Sequence, residues 1–159
     1  MGTADLMRIF PIVQEARRLE KKYNWGYEFH WDQGTFETAI VFKENGTWER
    51  PTFIQSWAEV RAKNLDLFCP DIIDFQKKII IEFEEESLPM KGPKIRKKGH
   101  WEESKRDSRR DKFYKKGKFS VLKIWESEYQ SADNEWGRKL DSFLVGCFTR
   151  RIKPGEMIS

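Results

Sequence analysis

Cysteine and histidine are scarce in this chain, which has two of each among 159 residues. Two cysteines are too few for a disulfide framework, and Cys69 and Cys147 lack metal-ligand spacing, so we expect reduced thiols in packed positions. No apolar run approaches the roughly 18 residues of a membrane span, and nothing near the N-terminus resembles a signal peptide. We therefore expect a soluble, cytoplasmic protein with one domain over residues 1–159 and a single core.

Basic charge is concentrated in one segment, although the net charge is only +4. Residues 91–118 contain thirteen lysines and arginines against four acids, so they carry +9 and the rest of the chain −5. This segregation favours a nucleic acid, because each cation that neutralises a phosphate releases condensed counterions. A solvated helix with ion pairs at helical spacing is the alternative, but it leaves the surplus unexplained. The expected binding residues are Lys94, Arg96, Lys97, Lys98, Lys105, Arg106, Arg109 and Arg110.

Hydrophobic periodicity predicts helices and strands along the whole chain. Helices are expected over 11–23, 101–116 and 134–149, with a short one near 56–63 and a helical turn over 5–10. Strands are expected over 27–31, 35–42, 72–75, 78–83 and 119–125, the first two around a tight turn. The pattern is that of an α/β protein. The last helix has an apolar face that belongs to the core or to a dimer contact: Trp136, Leu140, Phe143, Leu144, Cys147 and Phe148.

The segment CPDIIDFQKKIIIEFEEES predicts a hairpin with carboxylates on one face. If Phe75 pairs with Lys78 across a two-residue turn, Asp71 falls opposite Glu82. Because side chains alternate along a strand, Glu84 shares the face of Glu82. The apolar residues between them point to the other face, into the core. Three carboxylates would therefore converge at the end of a rigid strand.

Carboxylates held this close repel one another unless a proton or a divalent cation lies between them. Their hard oxygen donors suit Mg²⁺ or Mn²⁺, with Asp71 and Glu82 as the ligands. A metal there would activate water and neutralise charge that develops on a phosphate. The alternative is a solvent-exposed acidic strand end whose charges serve solubility.

Pro70-Asp71, separated by ten residues from Glu82-Phe83-Glu84, resembles the signature of the PD-(D/E)XK nucleases. In that superfamily the aspartate and the first acid bind metal. The last position is usually a lysine that positions or activates the attacking water, and here it is Glu84. The branch of the very short patch repair endonucleases also has an acid there, with histidine farther along the chain.

The downstream half is similar to the same branch, so the likeness covers roughly residues 70–128. Its members have the order RDxxRD, Leu, Gly, VLRVWE, which is matched by Arg106-Asp107, Arg110-Asp111, Phe113-Tyr114, Gly117 and VLKIWESE. The resemblance implies a restriction-endonuclease-like core, in which helices flank a central mixed sheet in the order αβββαβ, here with an extra C-terminal helix. It also implies a Mg²⁺- or Mn²⁺-dependent endonuclease acting on double-stranded DNA.

The resemblance adds candidates for catalytic residues outside the hairpin. His100 stands directly before the basic helix, where it would either move protons near the carboxylates or contact a phosphate. A glutamate of the first helix often joins the site in this superfamily, so Glu15 is a candidate, with Glu20 as the alternative. Lys98 or Lys105 is available to replace the missing lysine.

Two functions from different classes remain open. One is a metal-dependent endonuclease of a site-specific homing or restriction type, or of a repair type. The other is a catalytically inactive nuclease-fold protein that binds DNA, an alternative that Glu84 keeps open. Three converging carboxylates favour the enzyme, because an inactive site gains nothing from their repulsion. Cutting both strands requires two sites, so we expect a homodimer or a larger homo-oligomer.

Overall fold

The computed structural model describes residues 3–52, 54–85 and 105–159. Within these ranges the chain forms helices and strands in the order α1 (Thr3–Tyr23), β1 (His30–Trp31), β2 (Ile40–Phe42), β3 (Trp48–Glu49), α2 (Trp57–Ala62), β4 (Asp66–Phe68), β5 (Ile72–Asp74), β6 (Ile79–Glu84), α3 (Lys105–Lys116), β7 (Ser120–Trp125), α4 (Glu126–Tyr129), α5 (Glu135–Phe148) and β8 (Met157–Ile158). None of the helices in these ranges is long and apolar enough to cross a membrane.

The larger sheet is mixed and has the strand order β1-β5-β6-β7-β8. Strands β1, β5 and β6 are antiparallel neighbours, whereas β6, β7 and β8 run parallel. All six residues of β7 are buried, as expected for a parallel strand that is covered on both faces. The expected α/β fold with a central mixed sheet flanked by helices is therefore confirmed.

The two faces of this sheet pack against different helices. Ile79 and Ile81 of β6 belong to a core cluster that also contains the buried residues of α1 and α5. Ile80, on the opposite face, belongs to a second cluster together with Phe113 and Tyr114 of α3. Because side chains alternate along a strand, Glu82 and Glu84 lie on the same face of β6 as Ile80. Helix α3 therefore covers the face on which the predicted carboxylates lie.

The hairpin expected between residues 27–31 and 35–42 is wrong. Strand β1 pairs with β5, and β2 belongs to a separate three-stranded sheet of order β3-β2-β4. The chain turns between them at Phe36, whose φ is +64° and whose carbonyl accepts a hydrogen bond from the Ala39 N–H. Tertiary packing explains the difference, because Ile40 and Phe42 pack with α3 while Val41 packs with α2.

The expected start of the first helix also needs correction. Helix α1 is continuous through Pro11, because its buried residues share one apolar face on both sides of the proline. Helix α3 begins at Lys105, and residues 101–104 of the expected helix lie outside the described ranges. The short elements α4 and β8 were not predicted. Cys69 and Cys147 are both half-buried, and they are not joined in a disulfide.

The apolar face of α5 is mainly core. Leu140, Phe143 and Leu144 are almost fully buried against α1 and the sheet. Phe148, at the end of the helix, is 54% exposed. Most of the surface that was expected to serve either the core or a dimer contact is therefore used within the chain.

Asp74, 2% exposed, ties the β5–β6 turn to the segment that precedes β1. Its carboxylate accepts hydrogen bonds from the N–H groups of Glu28 and Lys77, both at 2.8 Å. We expect Asp74→Ala to lower the free energy of unfolding by about 2–4 kcal/mol, since both donors lose a charged acceptor. The exposed Asp133→Ala is the control and should change it by less than about 0.5 kcal/mol. Equal denaturation midpoints for the two variants would contradict this role.

Candidate active site

Four charged residues form a row across four adjacent strands of the larger sheet. The pairing of β5 with β6 places Asp71 opposite Glu82, and Glu82 is in register with Lys123 of β7. On the other side, the Asp32 N–H directly after β1 donates to the Asp71 carbonyl at 2.9 Å. Cross-strand partners share one face of a sheet, so all four side chains lie on the face covered by α3. Glu84 is two residues farther along the same face.

The expected register of the hairpin agrees with the structure, although its turn is longer. Asp74 pairs with Ile79, so that four residues rather than two form the turn. Lys78 ends this turn with a φ of +58°. The alternative of a solvent-exposed acidic strand end is wrong, because Glu82 is 5% and Glu84 2% exposed.

Asp71 and Glu82 form the central pair of this row, and Asp71 is the member on the β5 side. Its Oδ2 accepts a hydrogen bond from the Phe83 N–H at 2.7 Å, which fixes the carboxylate against β6. Removal of the carboxyl from water raises the pKa of Asp71 to about 7, and the negative charges of Glu84 and Asp32 act in the same direction. The Phe83 hydrogen bond and the charge of Arg110 act against this shift. Asp71 therefore loses its proton only near neutral pH.

Glu82 completes the pair from β6. Burial, together with the charge of Asp71, raises the pKa of Glu82 well above its usual range, against the smaller effects of Arg110 and Tyr114. The Tyr114 hydroxyl donates to Glu82 Oε1 at 3.2 Å, so the carboxyl is held from the α3 side. Two adjacent carboxyls that both resist ionisation form a site that favours a shared proton or a cation.

Arg110 of α3 points into the carboxylates. Its Nη2 lies 3.2 Å from Glu84 Oε1 and 3.1 Å from Asp111 Oδ1, and its Nη1 lies 4.0 Å from Glu82 Oε2. Only 13% of the side chain is exposed. Burial works to lower the pKa of Arg110, but the charge of Glu82 and the other acids outweighs it, so the guanidinium stays ionised. Arg110 is thus a part of the site, in contrast to the expected place on an exposed DNA-binding surface.

Lys123 is a site residue that the sequence reasoning missed. It is 2% exposed, and its Nζ lies 2.9 Å from Asp111 Oδ2 and 4.0 Å from Glu84 Oε1. A buried lysine is stable only when charged partners surround it, as they do here. The signal was available in VLKIW, where one lysine interrupts a strand that is otherwise apolar.

Glu15 and Glu20 do not join the carboxylates in this structure. Glu15 forms an ion pair with Arg18 on α1, which packs on the opposite face of the sheet. Glu20 accepts hydrogen bonds from the N–H groups after the end of α1. Asp32 instead supplies the additional acid beside Asp71, and burial raises its pKa as well. Sequence reasoning missed Asp32 because β1, the strand that Asp32 directly follows, was paired with residues 35–42 instead of with β5.

The structure gives different places to the other expected nucleic-acid contacts. Arg109 makes a bidentate pair with Asp66, at 2.9 Å for both bonds, and stacks over the ring of Phe113. Lys105 and Arg106 lie in the first turn of α3, where the positions of their side chains are not described. The remaining expected residues lie outside the described ranges: Lys94, Arg96, Lys97, Lys98 and His100.

The donor chemistry of the central pair suits a hard divalent cation. Asp71 and Glu82 present carboxylate oxygens from adjacent strands, which is the ligand type of Mg²⁺ and Mn²⁺. Within residues 3–52, 54–85 and 105–159, however, no group of three or more acid, histidine or cysteine side chains is arranged to hold a metal. The pair would therefore fit a Mg²⁺ ion whose remaining ligands are water and phosphate oxygens, as is common for this ion.

Comparisons with models of protein families, with characterised proteins and with solved structures found no match to this chain. The residues of the site, their geometry and the motif resemblance are therefore the grounds for a functional proposal.

Asp71 makes the stability of the metal-free protein depend on pH. Its carboxyl ionises near pH 3.8 when unfolded but near 7 when folded, so the folded state holds an extra proton between these values. Stability should therefore fall as the pH rises through this window, by up to about 4 kcal/mol, because each pKa unit corresponds to about 1.4 kcal/mol. Asp71→Asn, which keeps an acceptor for the Phe83 N–H, should remove this contribution.

The measurement is urea unfolding with EDTA at pH 4, 6 and 8, for the wild type and Asp71→Asn. The stability of the variant relative to the wild type should increase with pH. A constant difference across this range would show that Asp71 has no raised pKa in the folded protein. Addition of Mn²⁺ at pH 8 should stabilise the wild type more than the variant.

Proposed function

We propose that this protein is a metal-dependent endodeoxyribonuclease with a restriction-endonuclease-like core. The observation that supports this function best is the pair Asp71–Glu82 on adjacent strands, partly and almost fully buried respectively, in one row with Lys123. Its register agrees with the PD and ExE motif that resembles the PD-(D/E)XK signature. The surplus of basic residues after the hairpin supports a polyanionic substrate, here double-stranded DNA.

A Mg²⁺ or Mn²⁺ ion, when bound, would supply an activated water and neutralise charge at the scissile phosphate. Asp71 and Glu82 would hold it, and the Phe83 N–H and the Tyr114 hydroxyl orient these two carboxylates. Both carboxyls have raised pKa values, so cation binding must displace protons and becomes more favourable as the pH rises.

Lys123 has the role that the PD-(D/E)XK signature assigns to a lysine on β6, which is to position or activate the attacking water. Glu84 occupies that position, and the Lys123 ammonium lies 4.0 Å from its Oε1 on the neighbouring strand. Asp111 anchors the ammonium from α3 at 2.9 Å. An ammonium placed next to the metal-binding pair would orient the attacking water or stabilise the negative charge of the transition state.

A second candidate is a catalytically inactive nuclease-fold protein that binds DNA. One observation favours it: Arg110 already neutralises Glu84 and lies near Glu82, where a bound metal would otherwise supply positive charge. In this alternative the buried charges are a structural ion-pair network. Retained DNA binding without cleavage in any divalent cation would identify it.

Supercoiled plasmid DNA with Mg²⁺ or Mn²⁺ tests the proposal directly. Asp71→Asn and Glu82→Gln should each lower the cleavage rate at least about 100-fold, because each removes a ligand of the activating ion. Glu15→Gln is a matched control, since Glu15 lies on the opposite face of the sheet and pairs with Arg18. The proposal is wrong if the wild type does not cut, or if the two site variants cut as fast as the control.

The form of the product tests the expected homodimer. Linear plasmid, together with a dimer mass by light scattering, would support two sites that act on opposite strands. Nicked plasmid and a monomer mass would instead favour a repair-type enzyme that cuts one strand.

The role of Lys123 is tested by Lys123→Met and Lys123→Arg. The methionine variant should lose cleavage by about 100-fold or more while still binding Mn²⁺ in calorimetry, because the ammonium is not a metal ligand. Arginine retains the charge and should restore part of the activity, and a pH–rate profile shows whether the group acts through its charge.

Removing a buried ammonium also leaves carboxylates unpaired, at a cost of about 3–5 kcal/mol. The double variant Lys123→Met/Asp111→Asn reduces this cost and separates folding from catalysis, since it removes the carboxylate bonded to the ammonium. Wild-type cleavage by a folded Lys123→Met protein would contradict the assigned role.

A further inference from the structure

An open cleft lies next to the candidate active site, between α3 and the segment that leads into β8. It has a volume of about 720 Å³, and its polar lining includes Ser108, Asp111, Lys112, Lys115, Lys153 and Glu156. The three lysines are exposed. In the part of the chain that the structure describes, none of their ammonium groups has a carboxylate at ion-pair distance. We call this feature the lysine cleft.

The wall opposite α3 is held in place by hydrogen bonds. Glu156 Oε2 accepts from the Lys153 N–H at 2.9 Å, and the Glu156 N–H donates to the Lys153 carbonyl at 3.0 Å. Both ends of this turn are tied to β7, through the Ser120 hydroxyl at 3.2 Å and the Val121 N–H at 3.0 Å. The backbone that carries Lys153 is therefore anchored to β7, the strand that also carries Lys123.

Asp111 connects the lysine cleft to the carboxylate row. It lines the cleft, and its carboxylate also contacts Lys123 at 2.9 Å and Arg110 at 3.1 Å. An anionic chain lying in the cleft would therefore reach the site at this residue. The negative charge of Asp111 is already neutralised by these two cations, which leaves the cleft with an excess of positive charge.

We propose that the lysine cleft binds the phosphate backbone of the DNA substrate and leads one strand to the active site. This inference rests on the proposed nuclease function. In this proposal the lysines of the cleft, and not Arg109 and Arg110, contact the phosphate backbone of the DNA. The guanidinium groups of the two arginines are already engaged by Asp66 and by the acids of the site. Lys112, Lys115 and Lys153 supply mobile ammonium groups that neutralise phosphates without regard to base sequence.

Binding of a fluorescent duplex, measured in EDTA over a range of salt concentrations, tests the cleft without cleavage. Lys112→Gln/Lys153→Gln removes one cation from each wall. Loss of two phosphate contacts should reduce the log-log salt slope by up to about 1.8 and weaken binding up to about 60-fold at 0.1 M salt. Duplexes of different sequence should be affected alike. Added inorganic phosphate should compete only weakly, because one ion cannot occupy both walls.

The matched control is Lys21→Gln/Lys22→Gln, which removes two lysines at the end of α1, on the opposite side of the sheet. It should keep nearly the wild-type slope. Equal losses of DNA affinity in both double variants, or an unchanged salt slope in the cleft variant, would overturn the DNA-binding role of the lysine cleft. Plasmid cleavage by the wild type would in that case still support the proposed nuclease. A wild type that binds no duplex at any salt concentration would overturn both proposals.

Discussion

The repulsion between two poorly solvated carboxylates on adjacent strands is the constraint on which this part of the structure depends. Asp71 and Glu82 face each other across β5 and β6, and burial makes the ionised form of both unfavourable. Their neighbours are the groups needed to compensate: the Phe83 N–H, the Tyr114 hydroxyl and the Arg110 guanidinium. A proton shared at low pH, or a cation at higher pH, would supply the remaining compensation.

Helix α3 has two functions in this arrangement. Its apolar residues, Phe113 and Tyr114, pack on the face of the sheet that carries the acids and so hold the helix against that face. Its charged residues Arg110 and Asp111 extend the row into a network with Lys123. Because the same helix turns Lys112 and Lys115 toward the lysine cleft, a shift of α3 would alter the site and the proposed DNA path together.

Local hydrophobic periodicity was sufficient to predict the parts of the fold in which segments adjacent in sequence pair with each other. Asp71 lies opposite Glu82 because alternation along β6 fixes the face that buries Ile79 and Ile81, and the short connection to β5 sets the register. It was insufficient for β1, which pairs with a strand about forty residues away instead of with its neighbour in sequence. The partner of a short strand is decided by which face it can bury, and pattern alone does not contain that information. Asp32 was missed for the same reason.

The sequence by itself determined the α/β class, the hairpin register and the shared sheet face of Asp71, Glu82 and Glu84, since these depend on patterns over a few residues. Only the tertiary structure decided that Arg110 points inward and that Lys123 lies beside Glu84. These placements depend on how α3 and the parallel strand β7 dock on β6, and long-range packing of this kind is set by the whole core rather than by local residue order.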